Sequence, residues 1–166
     1  LFNNPDFSSK KILDLEKYDE SYQRTGRLFP CIPWSVAMEK YGSDKPDLRF
    51  GLEMQNVEDI FVHSDFNLFK SILNQKGVLK AIVVENSAHE SRKFFDDLDK
   101  SAKEFGLGGL PWVALKSGEW KGSVAKQISD KEKSGLQNKL GLKDGSSIIF
   151  ILGEKKNKTL SAGGKL

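Results

Sequence analysis

Ser43, Asp44, Lys45, Asp47 and Arg49 are the side chains of this 166-residue sequence whose types and spacing are best suited to chemistry. Two acids and two bases fall between Asp44 and Arg49. Such a set can read a polar ligand, and it can equally satisfy itself on a surface. The neighbours make the segment a polar loop. Gly42 permits a turn, and Ser43 and Asp44 can hydrogen-bond their own backbone. Pro46 pushes Lys45 out of the helical region and helps end the helix before it. Elsewhere, Cys31 with His63 and His89 is formally a nucleophile–base set, although a lone thiol reads first as a small buried side chain. One cysteine and two widely spaced histidines make no recognisable zinc pattern.

A second candidate surface is electrostatic. The net charge is only +3, but it is unevenly spread: residues 1–119 carry 16 bases against 19 acids, and residues 120–166 carry 10 against 4. A basic second half suits an RNA phosphate backbone, with Lys121 and Lys126 as possible contacts and Trp120 as the one aromatic nearby that could stack on a base. It also suits an ordinary lysine-rich, soluble surface, since arginine is missing there.

The elements that must position these residues are legible from periodicity. The hydrophobic share, 38%, is that of one ordinary globular domain. No apolar run approaches the roughly 20 residues that span a membrane, and the N-terminus lacks a secretory layout. The single cysteine excludes an internal disulfide and suits a reducing cytoplasm. Residues 1–28 differ from the rest, with turn-forming Asn3-Asn4-Pro5-Asp6 and a weak helical stripe from Lys10 to Tyr22, and they read as an arm or short helix. The start at Leu1 without methionine suggests an excised or processed piece.

Ser35–Tyr41 reads as a short helix. Phe50–Met54, Phe66–Leu73, Val78–Val84, Leu110–Lys116 and Ser146–Leu152 read as strands. Val57–Phe61 reads as a helical turn. Ser91–Phe105 is the clearest helix, with Phe94, Leu98, Ala102 and Phe105 as its buried stripe and Lys93–Asp97, Asp96–Lys100 and Asp99–Lys103 as outer pairs. Gly106 stops it. Gly118–Gly122 reads as a loop. Ser123–Ile128 and Asp130–Leu140 read as helical pieces, the second capped by Asp130. Residues 154–166 are basic and can start a helix that Gly163-Gly164 limits. The order predicts an α+β domain, a mixed or antiparallel sheet of four to five strands with helices packed on it. Gly106–Leu110 follows a helix and precedes a strand, the reverse of a dinucleotide-binding turn.

The string Tyr41-Gly42-Ser43-Asp44-Lys45-Pro46-Asp47-Leu48-Arg49-Phe50 also resembles, nearly letter for letter, a segment of bacterial-type aspartate–tRNA ligases. There it leaves the catalytic domain and enters a large inserted domain, the GAD domain. The resemblance continues in Ser91-Arg92-Lys93, Ala102-Lys103, Phe105-Gly106 with Gly109-Leu110, Ser123-Val124-Ala125-Lys126, and Asp144-Gly145 before Ile148-Ile149-Phe150. It covers residues 29–166 and stops short of residues 1–28. Where the family places a Thr/Glu capping box at the first helix, this chain has Pro33 and Val36. Proline can begin a helix without one.

The resemblance implies a division into an unassigned arm (1–28), a connector leaving a catalytic domain (29–50) and a GAD-like insertion (51–166). It implies a parent enzyme that activates aspartate with ATP and Mg²⁺ and transfers it to tRNA, electrostatic chemistry run by arginines and metal. The arginine strands, histidine loop and carboxylates of a class II synthetase, and its anticodon-reading barrel, are missing from this sequence. The resemblance therefore implies a non-catalytic piece without a cofactor of its own, near the tRNA acceptor end, partnered by the parent's catalytic domain and meeting tRNA through the parent. It implies a cytoplasmic, homodimeric parent, with the piece itself monomeric. Ser43, Asp44, Lys45, Asp47 and Arg49 would then order the active-site entrance or form a satisfied hinge. Two other readings stay open: a GAD domain of a tRNA-dependent amidotransferase subunit, against which the string Tyr41–Phe50 argues, and a free-standing interaction module.

Overall fold

The computed structural model describes residues 32–154 and 156–166, so the readings placed on residues 1–28 and on the thiol of Cys31 lie outside the described residues. Five strands form one sheet: β1 (Gln55–Asn56), β2 (Val78–Val84), β3 (Trp112–Lys116), β4 (Glu119–Gly122) and β5 (Ser147–Gly153). Their spatial order is β1-β2-β5-β3-β4, and every neighbouring pair is antiparallel. The α+β expectation holds. The centre is the full-length pairing of β2 with β5, from Val78 opposite Gly153 to Val84 opposite Ser147. Both strands are β-branched runs, which suit a pleated surface buried on its two faces.

Strand alternation divides the core. Leu79, Ala81, Val113, Leu115, Ile148, Phe150 and Leu152 point to one face. It is covered by α2 (Glu58–Phe61), α3 (Asn67–Asn74) and α5 (Asp130–Leu140). Val78, Ile149 and Ile151 point to the other. It is covered by α4 (Arg92–Glu104) and α6 (Lys156–Gly163), with α1 (Trp34–Tyr41) packed against α6. No helix among the described residues is long and apolar enough to cross a membrane.

Several local expectations fail for identifiable reasons. Phe66–Leu73, expected as a strand, is the body of α3. Phe69 is buried, and Phe66, Ile72 and Leu73 pack beside it, a helical spacing that a short apolar run does not distinguish from a strand. Phe50–Met54, also expected as a strand, is replaced by a 3₁₀ turn at Leu48–Phe50 and a two-residue β1, because the Met54 amide donates to the Lys40 carbonyl at 2.7 Å rather than to β2. Of Gly118–Gly122, expected as a loop, Glu119–Gly122 is β4: Ser117 (φ 53°) and Gly118 (φ 76°) are the left-handed pair of a two-residue hairpin, with Lys116 opposite Glu119. Ser123–Gln127 is a run of turns rather than a helix. In α4 the buried residues are Phe95 and Ala102 with Leu98 half-buried, while Phe94 and Phe105 are exposed. Leu98 and Ala102 of the expected stripe face inward, and Phe95 replaces Phe94 because its ring stacks on Trp112 of β3, centroids 3.7 Å apart. Of the three expected outer pairs, Asp99–Lys103 closes at 2.6 Å, and Lys100 meets Asp97 at 2.9 Å instead of Asp96.

The cap of α5 also moves. Ser129, not Asp130, is the N-cap, and it forms a capping box: the Glu132 amide donates to Ser129 Oγ and the Ser129 amide donates to Glu132 Oε2 at 2.7 Å. Asp130 is the first helical residue, where its charge suits the helix dipole. Ser129→Ala is expected to lower stability by about 1 kcal/mol, read from the urea denaturation midpoint at unchanged slope.

Candidate functional site

The polar loop starts where α1 stops. Gly42 takes φ 65° and its amide donates to the Met38 carbonyl at 3.0 Å, so this glycine, ahead of Pro46, terminates the helix. Only glycine fits. A Cβ here would stand 1.9 Å from the Leu160 carbonyl oxygen of α6, and one on Gly164 would stand 2.0 Å from the Tyr41 carbonyl oxygen. The C-terminal ends of α1 and α6 thus meet backbone to backbone. α1 itself begins at Pro33 with no side-chain cap, its first turn closed by the Ala37 amide on the Pro33 carbonyl at 3.0 Å.

Beyond Gly42 the loop is internally bonded. Ser43 Oγ accepts from the Lys45 amide at 3.1 Å. Asp47 accepts from the Arg49 amide at 3.0 Å and grips the Arg49 guanidinium through both oxygens, Nε to Oδ1 at 2.9 Å and Nε to Oδ2 at 3.1 Å. The guanidinium and the amide hold the Asp47 carboxyl down to about 2, and Asp47 in turn raises Arg49. Asp44 and Lys45 extend exposed from the turn. The structure therefore brings the five expected residues together as one ordered lip, in which Asp47 and Arg49 already satisfy each other.

That lip overhangs a cavity of about 460 Å³. Tyr41, Ser43, Lys45 and Asp47 form one wall, Met54 and Ile82 the floor, and Gly163 to Leu166 the other wall. An apolar floor under a cationic, hydroxyl-bearing rim suits a polar or anionic group carrying an apolar body. Among the described residues, no three histidine, cysteine, aspartate or glutamate side chains converge to hold a metal ion.

Lys121 and Lys126 lie apart from this lip. Lys121 is on β4, the sheet edge opposite β1, with its ammonium 3.0 Å from Glu119, and Lys126 is exposed in the turn after β4. Trp120 is half-buried and packs against the core. His63 and His89 are both exposed.

A polar constellation that periodicity does not reveal sits under α1. Lys80, in the middle of β2 and only 5% exposed, donates to Glu39 Oε2 at 2.6 Å. Lys156 of α6 donates to the other Glu39 oxygen. Tyr41 Oη and Lys40 both meet Glu53, at 2.9 and 3.1 Å. The one available signal was a lysine inside an otherwise apolar central strand, a position that demands an ionic partner.

Comparison with known proteins adds the following. The GAD domain family matches residues 69–162. The aspartate–tRNA(Asp/Asn) ligase of Natranaerobius thermophilus is 40% identical over 126 residues, covering 76% of this chain and 22% of that protein. That of Hydrogenobaculum is 41% identical over 129 residues, 78% of this chain and 21% of that protein. The aspartate–tRNA ligase of Clostridium tetani is 37% identical over 135 residues, 81% of this chain and 23% of that protein. The chain spans about a fifth of the length of these relatives.

Proposed function

Because this chain belongs to the GAD domain family, we propose that it is the inserted accessory domain of an aspartate–tRNA ligase, cytoplasmic and homodimeric through parts outside this chain. The observation that carries the reading is identity near 40% across three-quarters or more of the chain with proteins of that name, confined to about a fifth of each. The string Tyr41–Phe50 supports it, and so do the missing synthetase motifs. Residues 29–50 are then the connector from the catalytic domain and 51–166 the insertion.

In such a parent, ATP and Mg²⁺ supply the activation of the aspartate carboxylate. We assign the binding of both to parts of the parent outside this chain, a reading supported by a sequence with no phosphate-cradling glycine loop. The chain's own contribution is positional. The Ser43–Arg49 lip, ordered by Asp47 and Gly42, faces the active-site entrance, and the basic second half lies along the tRNA. We place the choice between the aspartate and asparagine tRNAs outside this chain, a reading supported by the similar identity, 37–41%, of relatives of both names.

The test uses the whole polypeptide that carries this chain. It is expected to charge aspartate tRNA; failure by a folded protein overturns the ligase reading. Lys121→Ala/Lys126→Ala is expected to raise KM for tRNA several-fold while leaving aspartate-dependent ATP–pyrophosphate exchange unchanged. The slope of binding against salt should fall by about 2, one per lost phosphate contact. An unchanged KM and slope would mean that the basic half is a soluble surface and that the insertion works only through its neighbouring domain.

A further inference from the structure

Helix α1 is attached in an unusual way. Ala37 is its only buried side chain, and Trp34, at its start, is 64% exposed. Apolar burial, the usual anchor of a helix, is therefore slight here. Polar contacts take its place, and they converge on Glu39. One carboxylate oxygen takes the buried Lys80 ammonium of β2 at 2.6 Å, and the other takes Lys156 of α6. Further ties among the described residues include the Lys40–Glu53 pair, the Tyr41–Glu53 hydrogen bond, the Met54 amide on the Lys40 carbonyl, and the Gly42–Gly164 backbone contact. Beneath α1, by contrast, β2 and β5 pair over seven residues within a dense core. A helix with one buried side chain, packed on α6 beside a densely packed sheet, is a low-stability unit that opens before the rest.

We propose that α1 and its following loop form a detachable latch, docked on the sheet by Glu39 as a two-pronged ionic clasp, so that the charge of this one carboxylate governs whether the lip over the cavity is in place. Lys80 makes the clasp decisive. A buried ammonium that loses its partner is strongly unfavourable, so the docked state tolerates no neutral residue at position 39. When the clasp opens, Lys80 gains water and Tyr41 to Asp47 leave the cavity wall. The device follows from contacts within this chain and stands whether or not the parent is a ligase.

The clasp is pH-dependent with a defined sign. The hydrogen bond from Lys156, then that from Lys80, holds the Glu39 carboxyl below its ordinary range. Docking is therefore fully supported above that range, near 4.5, and lost as pH falls through the lowered folded value. Glu53, paired with Lys40, and Glu58, which acts on Lys156 through space, are the other acids beside the clasp. Their titration is subtracted by comparison with Glu39→Gln.

Amide hydrogen exchange on the whole polypeptide decides the matter. In Glu39→Gln, the amides of Ala37 to Gly42 and of Met54 should exchange at least about tenfold faster, while those of β2 and β5 stay protected. Acidification should produce the same local acceleration, corrected for intrinsic rates, in the parent protein and not in Glu39→Gln. Unchanged exchange at Ala37–Gly42 and Met54 overturns the proposal. So does equal acceleration in α1, β2 and β5, which would make Glu39 a support of the whole fold. Should Glu39→Gln fail to fold, Lys156→Met removes only the exposed prong and strands no buried charge. It should give a smaller acceleration confined to the same amides, and its absence overturns the proposal equally.

Discussion

Phe69→Ala is expected to cost about 3–5 kcal/mol, a large share of the roughly 5–15 kcal/mol that holds a typical domain folded. Phe69 is wholly buried at the junction of α3 with the β2–β5 centre. Its ring meets Phe61 edge-on at 4.8 Å, Phe66 edge-on at 4.8 Å and Phe150 at 5.1 Å. Truncation removes three aromatic contacts together and leaves a void walled by rings on helices and a central strand. Those walls are held by backbone hydrogen bonds and cannot close on it, so the cavity cost adds to the transfer cost. Equilibrium urea denaturation measures the effect. Val62→Ala is the control: at 60% exposed, it should change stability by less than about 0.5 kcal/mol. Comparable losses in the two variants would mean that α3 does not carry the core as described.

Gly122→Ala is expected to cost about 2–4 kcal/mol, and Gly118→Ala, in the same hairpin, about 1 kcal/mol. The two glycines share a positive φ, 137° and 76°, but not their surroundings. A Cβ on Gly122 would stand 2.5 Å from the Trp112 carbonyl oxygen and 2.7 Å from the Val113 Cα, both backbone atoms of the neighbouring strand. Neither can swing aside without opening β3 from β4. A Cβ on Gly118 meets nothing within 4 Å, so only its backbone conformation is strained. The measurement is the difference in unfolding free energy between the variants. Equal costs would show that φ alone, and not the close approach of the strands, accounts for Gly122. Because β4 carries Lys121, Gly122→Ala should also lower any tRNA affinity that depends on that edge.

Comparing residues shows where the sequence was sufficient. Val78–Val84 and Ser147–Gly153 were legible as buried strands because a β-branched run bounded by turns has few other ways to satisfy its backbone and hide its side chains. The α4 helix was legible with its stop at Gly106, since a glycine at φ 95° is a local device acting within one turn, and the structure makes Ser91 its N-cap. The loop string was legible too, and the structure accounts for its chemistry within a few residues: Ser43 on the Lys45 amide, Asp47 on Arg49.

Other features could not be read this way. Which side of α4 faces inward depended on Trp112, 17 residues further on, whose stacking selects Phe95 over Phe94. The α3 segment is strand-like in composition and became a helix as Phe69 packs its ring between Phe61 and Phe150, with Phe66, at the helix cap, edge-on to Phe69. The Ser117-Gly118 turn was a usable signal for a hairpin, but a four-residue edge strand needs β3 beside it to exist.

The sequence by itself therefore determined what short-range forces decide: the two central strands, the stop of α4, the turn of the polar loop and the family to which the chain belongs. The tertiary structure alone decided the order β1-β2-β5-β3-β4, the meeting of Gly42 with Gly164, and the pairing of Lys80 with Glu39 across 41 positions. The reason is that a buried charge states its need for a partner but not the partner's address. That address follows only when the sheet has formed and α1 is laid over it.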